Sequence, residues 1–247
     1  MNLLTIQDLS IMHRQTSLLH DIHMHINSGE IVALVGATGS GKSLFAKALL
    51  GLLPKTMLIQ GSIVFDGKEL KDASAQEMRT IRGQTMSLIL QESSLNPSMR
   101  ILHQLLESVY IARPHLTKKE AKERVYQLLH RVHLEKEIAK AYPHMLSGGM
   151  KQRIAIAQAI FAPPKLLIAD ESTTALDMTV QAEILCLLHD LRQTYHISIL
   201  FITHDLSLVR NFCDRVLVLH EGSIVEAASV QEIFLHPQHS YTRSLLL

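Results

Sequence analysis

The sequence is short of cysteine, of long apolar runs and of excess charge of either sign, and each shortage closes off a class of protein. Lys and Arg number 24 against 23 Asp and Glu. Such a balance gives no broad basic face and argues against a nucleic-acid partner. No stretch nears the roughly 18 consecutive apolar residues that a membrane-crossing helix needs, and the first residues lack a signal-peptide pattern. The expectation is a soluble, intracellular chain. Cys186 and Cys213 are the two cysteines; each stands alone within a helical pattern and reads as a buried reduced thiol. No internal repeat or low-complexity segment interrupts the 247 residues, a length open to one large domain or two small ones.

What is present starts with Gly36-Ala37-Thr38-Gly39-Ser40-Gly41-Lys42-Ser43, which fills every fixed position of the phosphate-cradling pattern G-x-x-x-x-G-K-[ST]. The apolar run Ile31 to Val35 precedes it, and Leu44, Phe45, Ala48, Leu49 and Leu52 follow at helical spacing, so the motif sits in a strand, loop, helix context. Glycines let such a loop fold tightly with its N–H groups inward, and the helix start adds partial positive charge where phosphate oxygens lie. In this pattern Lys42 reaches the β- and γ-phosphates and Ser43 holds Mg²⁺.

Around the loop the chain reads as an α/β protein. Leu3 to Gln7, His20 to Ile26 and Ser62 to Gly67 are β-structure ahead of or beside the loop, and Thr85 to Leu90 is an apolar strand ending at Gln91. Asp21, His23 and His25 share one face of the second strand; a solvated polar face explains them as well as a metal does. Ile101 to Ala112 is helical, and Thr117 to Glu120 is a capping box opening another helix. Residues 92–146 therefore read as a helical subdomain inserted into a core made of 1–91 and 147–247. A helix from Gly149 to Phe161, the strand Leu166 to Asp170, a helix from Thr179 to Thr194 and the strand Ile199 to Thr203 make the core sheet largely parallel. A hairpin, Val216 to Leu219 and Ser223 to Val225, follows.

Several stations fall at strand or helix ends, where a doubly wound sheet exposes its ligand site. Asp170 suits Mg²⁺, directly or through water, and Glu171 beside it can polarise an attacking water. Gln91 can ligate the metal and contact the water, though alone it is an ordinary surface residue. His204 can hydrogen-bond a γ-phosphate oxygen; taken singly it is as readily a satisfied core or surface histidine. Ser147, Gly148 and Gly149 form a second anion-binding device at a helix start, which one nucleotide does not need from the same subunit. Ala175-Leu176-Asp177 reads as a loop that touches something near the phosphates.

In order and spacing these stations resemble an ATP-binding-cassette (ABC) ATPase over essentially the whole chain. The resemblance implies a P-loop NTPase fold with an ABC-type core sheet, an N-terminal antiparallel β-subdomain and an inserted helical subdomain. It implies ATP and Mg²⁺ as cofactors, with Ser43, Gln91 and Asp170 around the metal and Glu171, His204 and Gln91 as catalytic residues. Ser147, Gly148 and Gly149 would reach across a head-to-tail dimer to ATP on the partner's phosphate loop, and Asp177 would line the dimer interface. His13 occupies the place of the adenine-stacking aromatic, a smaller face that leaves GTP hydrolysis open.

The runs Pro143 to Arg153, Ile168 to Glu171 and Thr173 to Asp177, with Ser94-Leu95-Asn96-Pro97 and the tail Tyr241 to Leu246, look like the peptide and nickel importer branch. Leu44 after Ser43, and a chain that stops just past the tail motif without cysteines for an iron-sulfur cluster, lean toward nickel or a metal chelate, with a di- or oligopeptide importer as the alternative. Position 172 is Ser where Pro is usual. The partners so implied are a second ABC ATPase in a hetero- or homodimer, two membrane permeases and, indirectly, an extracytoplasmic binding protein. The implied location is the cytoplasmic face of the inner membrane, held peripherally. The rivals are a soluble ABC protein of DNA repair or translation, whose tandem cassettes, coiled-coil insertions and zinc cysteines are missing here, and a regulatory subunit that binds ATP without turnover.

Overall fold

A computed structural model describes residues 2–90, 95–171 and 177–246. The chain opens with two long strands, β1 (Asn2–His13) and β2 (Thr16–Asn27), paired antiparallel. Both are longer than the sequence pattern predicts, because bulges interrupt the alternation on which that pattern depends. Asp8 (φ 51°) and Asp21 (φ 46°) take the left-handed conformation, and the register shifts between Ile6 and Leu9. One extra residue flips the inward set, so a period-2 reading stops at Gln7 while the strand continues with Leu9 and Ile11 inward. The outward face carries Asp21, His23 and His25 as expected. There His23 Nε2 lies 3.0 Å from Asp21 Oδ1 and 3.3 Å from Asp8 Oδ1, all three on an exposed surface.

Strand β3 (Ile31–Val35) is buried at every residue, and the phosphate-loop motif leads from it into α1 (Lys42–Leu49). Next come β4 (Met57–Phe65), which pairs with β1, and the short β5 (Lys68–Glu69), giving the first sheet the order β2-β1-β4-β5. Helix α2 (Ala75–Ile81) is absent from the sequence reading, although a Ser74–Glu77 capping box opens it. It buries only Met78 and so shows no apolar stripe. Strand β6 (Met86–Ile89) leads toward Gln91, which lies outside the described residues.

Helices α3 (Ile101–Ala112), α4 (Lys118–Arg131) and α5 (Gly148–Ala159) stand between β6 and β7 (Leu166–Asp170), with α4 opened by the expected Thr117–Glu120 box. Then follow α6 (Met178–Tyr195), β8 (Ser198–Thr203), the hairpin β9 (Arg215–His220) and β10 (Ser223–Ser229), and two short helices, α7 (Val230–Leu235) and α8 (Ser240–Leu245). The second sheet has the order β10-β9-β3-β8-β7-β6 and is parallel except for its terminal hairpin. One face packs on α3 to α6; the other packs with α1 on the antiparallel sheet. Cys186 is exposed on α6 rather than buried, and Cys213 precedes β9 outside any helix; both thiols are free. Among the described residues no helix is long and apolar enough to cross a membrane.

Candidate active site

Register aligns the site. Val35, at the end of β3, pairs with Thr203 at the end of β8, and Asp170, at the end of β7, pairs with Ile202. The phosphate loop, Asp170-Glu171 and His204 therefore leave the sheet at one rim, the carboxyl edge where parallel sheets bind ligands.

The loop is held by close approach as much as by conformational freedom. Gly41, just ahead of α1, has φ 107°, a region that L side chains rarely adopt. Gly36 is required for another reason: a Cβ there would lie 2.2 Å from the Leu219 carbonyl oxygen of β9. Ala37, Thr38 and Gly39 are exposed at the tip, whereas Ser40 is buried with its Oγ unpartnered. The Ser40 N–H donates to the Ala37 carbonyl (3.1 Å) and the Gly222 N–H donates to the Ser40 carbonyl (3.2 Å).

Lys42 is 4% exposed, and its Nζ donates to the carbonyls of Gly36 (2.8 Å) and Ala37 (2.9 Å). Burial pushes its ammonium pKa down, while Glu171 and Asp170 oppose that shift. Glu171 has φ 46° and its N–H is anchored to the Ile202 carbonyl. Its Oε1 lies 3.8 Å from Lys42 Nζ and 3.5 Å from His204 Nδ1. One carboxylate thus faces both the lysine ammonium and the His204 ring, the more buried of the two being the lysine.

Asp170 is 7% exposed, and its Oδ1 has no hydrogen-bond partner among the described residues. Burial raises its pKa against the opposing hydrogen bond from Ser43. A buried carboxylate with an orphaned oxygen beside a serine hydroxyl is a fitting half-shell for a hard cation such as Mg²⁺. Without that cation the group costs stability. Because the folded pKa lies above the unfolded one, the chain is most stable where the carboxyl is protonated and loses that share as pH rises out of the ordinary carboxylate range. Asp170→Asn is accordingly expected to raise the nucleotide-free melting temperature at neutral pH. The same variant should lose Mg²⁺-dependent turnover; a scan at pH 7.5 beside a phosphate-release assay checks both.

Ser147 caps α5, accepting from the Met150 N–H (3.2 Å), and Asp177 caps α6, accepting from the Val180 N–H (3.0 Å). These two starts are neighbours: a Cβ on Gly149 would lie 2.6 Å from Val180 Cγ1, and Arg153 bonds Glu183 at 2.8 Å. The structure therefore groups Ser147, Gly148 and Gly149 with Asp177, while the phosphate loop is backed by β9 and the turn at Gly222. Gln91, Ala175 and Leu176 lie outside the described residues. His13 closes β1 opposite Thr16 and Met57 on the antiparallel sheet, partly exposed. Sequence reasoning missed the support supplied by Leu219, Gly222 and Tyr241, whose hydroxyl accepts from the Ala37 N–H at 2.9 Å. The tail motif was visible, but nothing local tied it to a loop 204 residues away.

A family model described as ABC transporter matches residues 19–174. The chain belongs to the ABC transporter family. This cassette is 47% identical over 255 residues to the peptidoglycan transport ATP-binding protein YejF of Agrobacterium fabrum, covering 99% of this chain but 46% of that one. It is 43% identical to the oligopeptide transport ATP-binding protein OppD of Bacillus subtilis, covering 99% of this chain and 71% of the relative. The cassette thus spans about half of the first relative's length and about seven tenths of the second's. Among solved structures, the dimeric ATP-binding cassette MJ0796 bound to ADP and Pi superposes with a TM-score of 0.82 at 26% identity, covering 92% of this chain and 98% of that one. CbiO1 of Clostridium perfringens, part of the ABC transporter complex cbiONQ, gives 0.82 at 30% identity, covering 95% and 91%.

Proposed function

We propose that this cassette hydrolyses ATP to drive an importer of peptide-class solutes, working against a second cassette and beneath two membrane permeases. The observation that carries the catalytic reading is the placement of Glu171 between Lys42 and His204, next to the orphaned oxygen of Asp170. The names of the relatives support peptides over the nickel or metal chelate toward which Leu44 and the tail lean, since those relatives are named for oligopeptide and peptidoglycan transport.

Lys42 releases the Gly36 and Ala37 carbonyls and turns to the β- and γ-phosphates, with the loop N–H groups and the α1 start cradling their oxygens. Ser43, Asp170 and Gln91 would hold Mg²⁺, which neutralises phosphate charge when bound. Glu171, freed from Lys42, orients a water and accepts its proton, and His204 donates to a γ-phosphate oxygen. Ser147, Gly148 and Gly149 seal the nucleotide of the opposing cassette, with Asp177 beside them. Closure then follows ATP binding and opening follows its loss. His13 faces the adenine and tolerates guanine.

Residues 92–146 act as the helical arm for the permease. On the core, between the segment after α1, the end of β6 and α5, a groove of about 280 Å³ is lined by Leu50, Leu52, Leu88, Leu90 and Ala159, with Leu52 47% and Leu90 42% exposed. An apolar groove of this kind suits a short permease helix and would hold the cassette on the cytoplasmic face of the membrane. The deciding experiment is uptake in cells lacking this protein. Radiolabelled oligopeptide uptake should fall to background and return on complementation, with nickel uptake unchanged; the reverse pattern would replace peptide by nickel.

A further inference from the structure

The phosphate loop is clamped from the far end of the chain. The Tyr241 hydroxyl accepts the Ala37 N–H at 2.9 Å, and the Tyr241 ring stacks on the His220 imidazole with centroids 3.7 Å apart and planes 22° from parallel. His220 is the residue after Leu219, whose carbonyl abuts Gly36. Helix α8 is in turn fixed to the hairpin: Glu226 of β10 accepts the N–H groups of Gln238 (2.8 Å) and His239 (2.9 Å), and Arg243 donates to the carbonyls of Pro237 and Gln238. Tyr241 is thus placed by several contacts that do not involve the loop.

Ala37 is a telling target. Its carbonyl accepts both Lys42 Nζ (2.9 Å) and the Ser40 N–H (3.1 Å), so a single exposed residue joins the tail hydroxyl to the lysine of the site. We propose that Tyr241 is a positioning residue for the phosphate loop: by occupying the Ala37 N–H from a platform on His220, it holds the empty loop in the shape that receives a triphosphate. This deepens the ATPase reading above and rests on it. A loop ordered before binding does not spend affinity on becoming ordered, so the effect falls on nucleotide affinity and spares the chemical step, which Glu171 performs.

The test is Tyr241→Phe in the purified full chain. It keeps the ring, the His220 stack and the packing of α8, and removes only the acceptor. A fluorescent ATP analogue with Mg²⁺ should bind about 3- to 10-fold more weakly, the range one net hydrogen bond supplies. The ATP KM should rise in step, kcat should stay within about twofold, and the Ala37 amide should exchange roughly tenfold faster without nucleotide. His220→Ala should give a smaller loss of the same kind, and the double variant should equal Tyr241→Phe rather than the sum, because both act through one contact. Unchanged affinity and unchanged Ala37 exchange, or additive losses, would overturn the proposal, as would a lowered melting temperature with affinity intact. If the wild-type chain bound no nucleotide, the ATPase reading would fall; faster Ala37 exchange in Tyr241→Phe would still establish the clamp.

Discussion

Glu171→Gln is expected to stop phosphate release, by at least about 100-fold, and to leave ATP bound. A positioned base contributes roughly 10²- to 10⁴-fold to a reaction of this kind, and glutamine keeps the shape of the side chain while losing its ability to accept a proton. The wild-type carboxylate also sits 3.8 Å from Lys42 Nζ. Neutralising it removes one of the two carboxylates that compete with phosphate for the lysine charge, so affinity should hold or improve. With turnover blocked, ATP should draw two cassettes into a stable pair, seen as a doubled mass in size-exclusion chromatography with light scattering. Equal hydrolysis rates in wild type and variant would remove Glu171 from catalysis. Absence of any ATP-dependent pairing would remove the shared-site mechanism with it.

Gly36→Ala is expected to cripple both folding stability and nucleotide binding. The added methyl meets the Leu219 carbonyl oxygen at 2.2 Å and Ser40 Oγ at 2.8 Å. Ser40 can rotate, but Leu219 belongs to β9, whose register is locked to β3 through Val35 and Val218. Overpacking against backbone costs about 1–3 kcal/mol, and near the upper end the melting temperature should drop by roughly 6–12 °C. The loop has to shift to relieve the contact, so the rise in melting temperature expected of the wild type with ATP and Mg²⁺ should be lost. A variant that melts normally and still responds to ATP would show that the loop accommodates a side chain.

What the sequence disclosed of this protein was what lies close along the chain. The phosphate loop, the Thr117 box, and the strands ending at Asp170 and Thr203 follow from neighbouring residues and were readable to within a residue or two. The bulges at Asp8 and Asp21 were hidden, because each breaks the alternation that would reveal its strand. Helix α2 was hidden because it buries a single side chain. At the site the individual stations were legible but not their supports. Gly36 reads in sequence as one of the glycines that let the loop fold tightly, whereas its demand is set by Leu219, and the role of Tyr241 depends on a contact that no local pattern encodes. The burial of Cys186 was misjudged because a helical stripe does not reveal which of its flanks a neighbour covers.

The seating of Gly149 against Val180, reinforced by Arg153 and Glu183, has a mechanical outcome. The turns carrying Ser147 and Asp177 are yoked, so in the proposed pairing an opposing cassette would engage both turns together. On that proposal, nucleotide occupancy should rise with ATP concentration as a steep curve in place of independent hyperbolas.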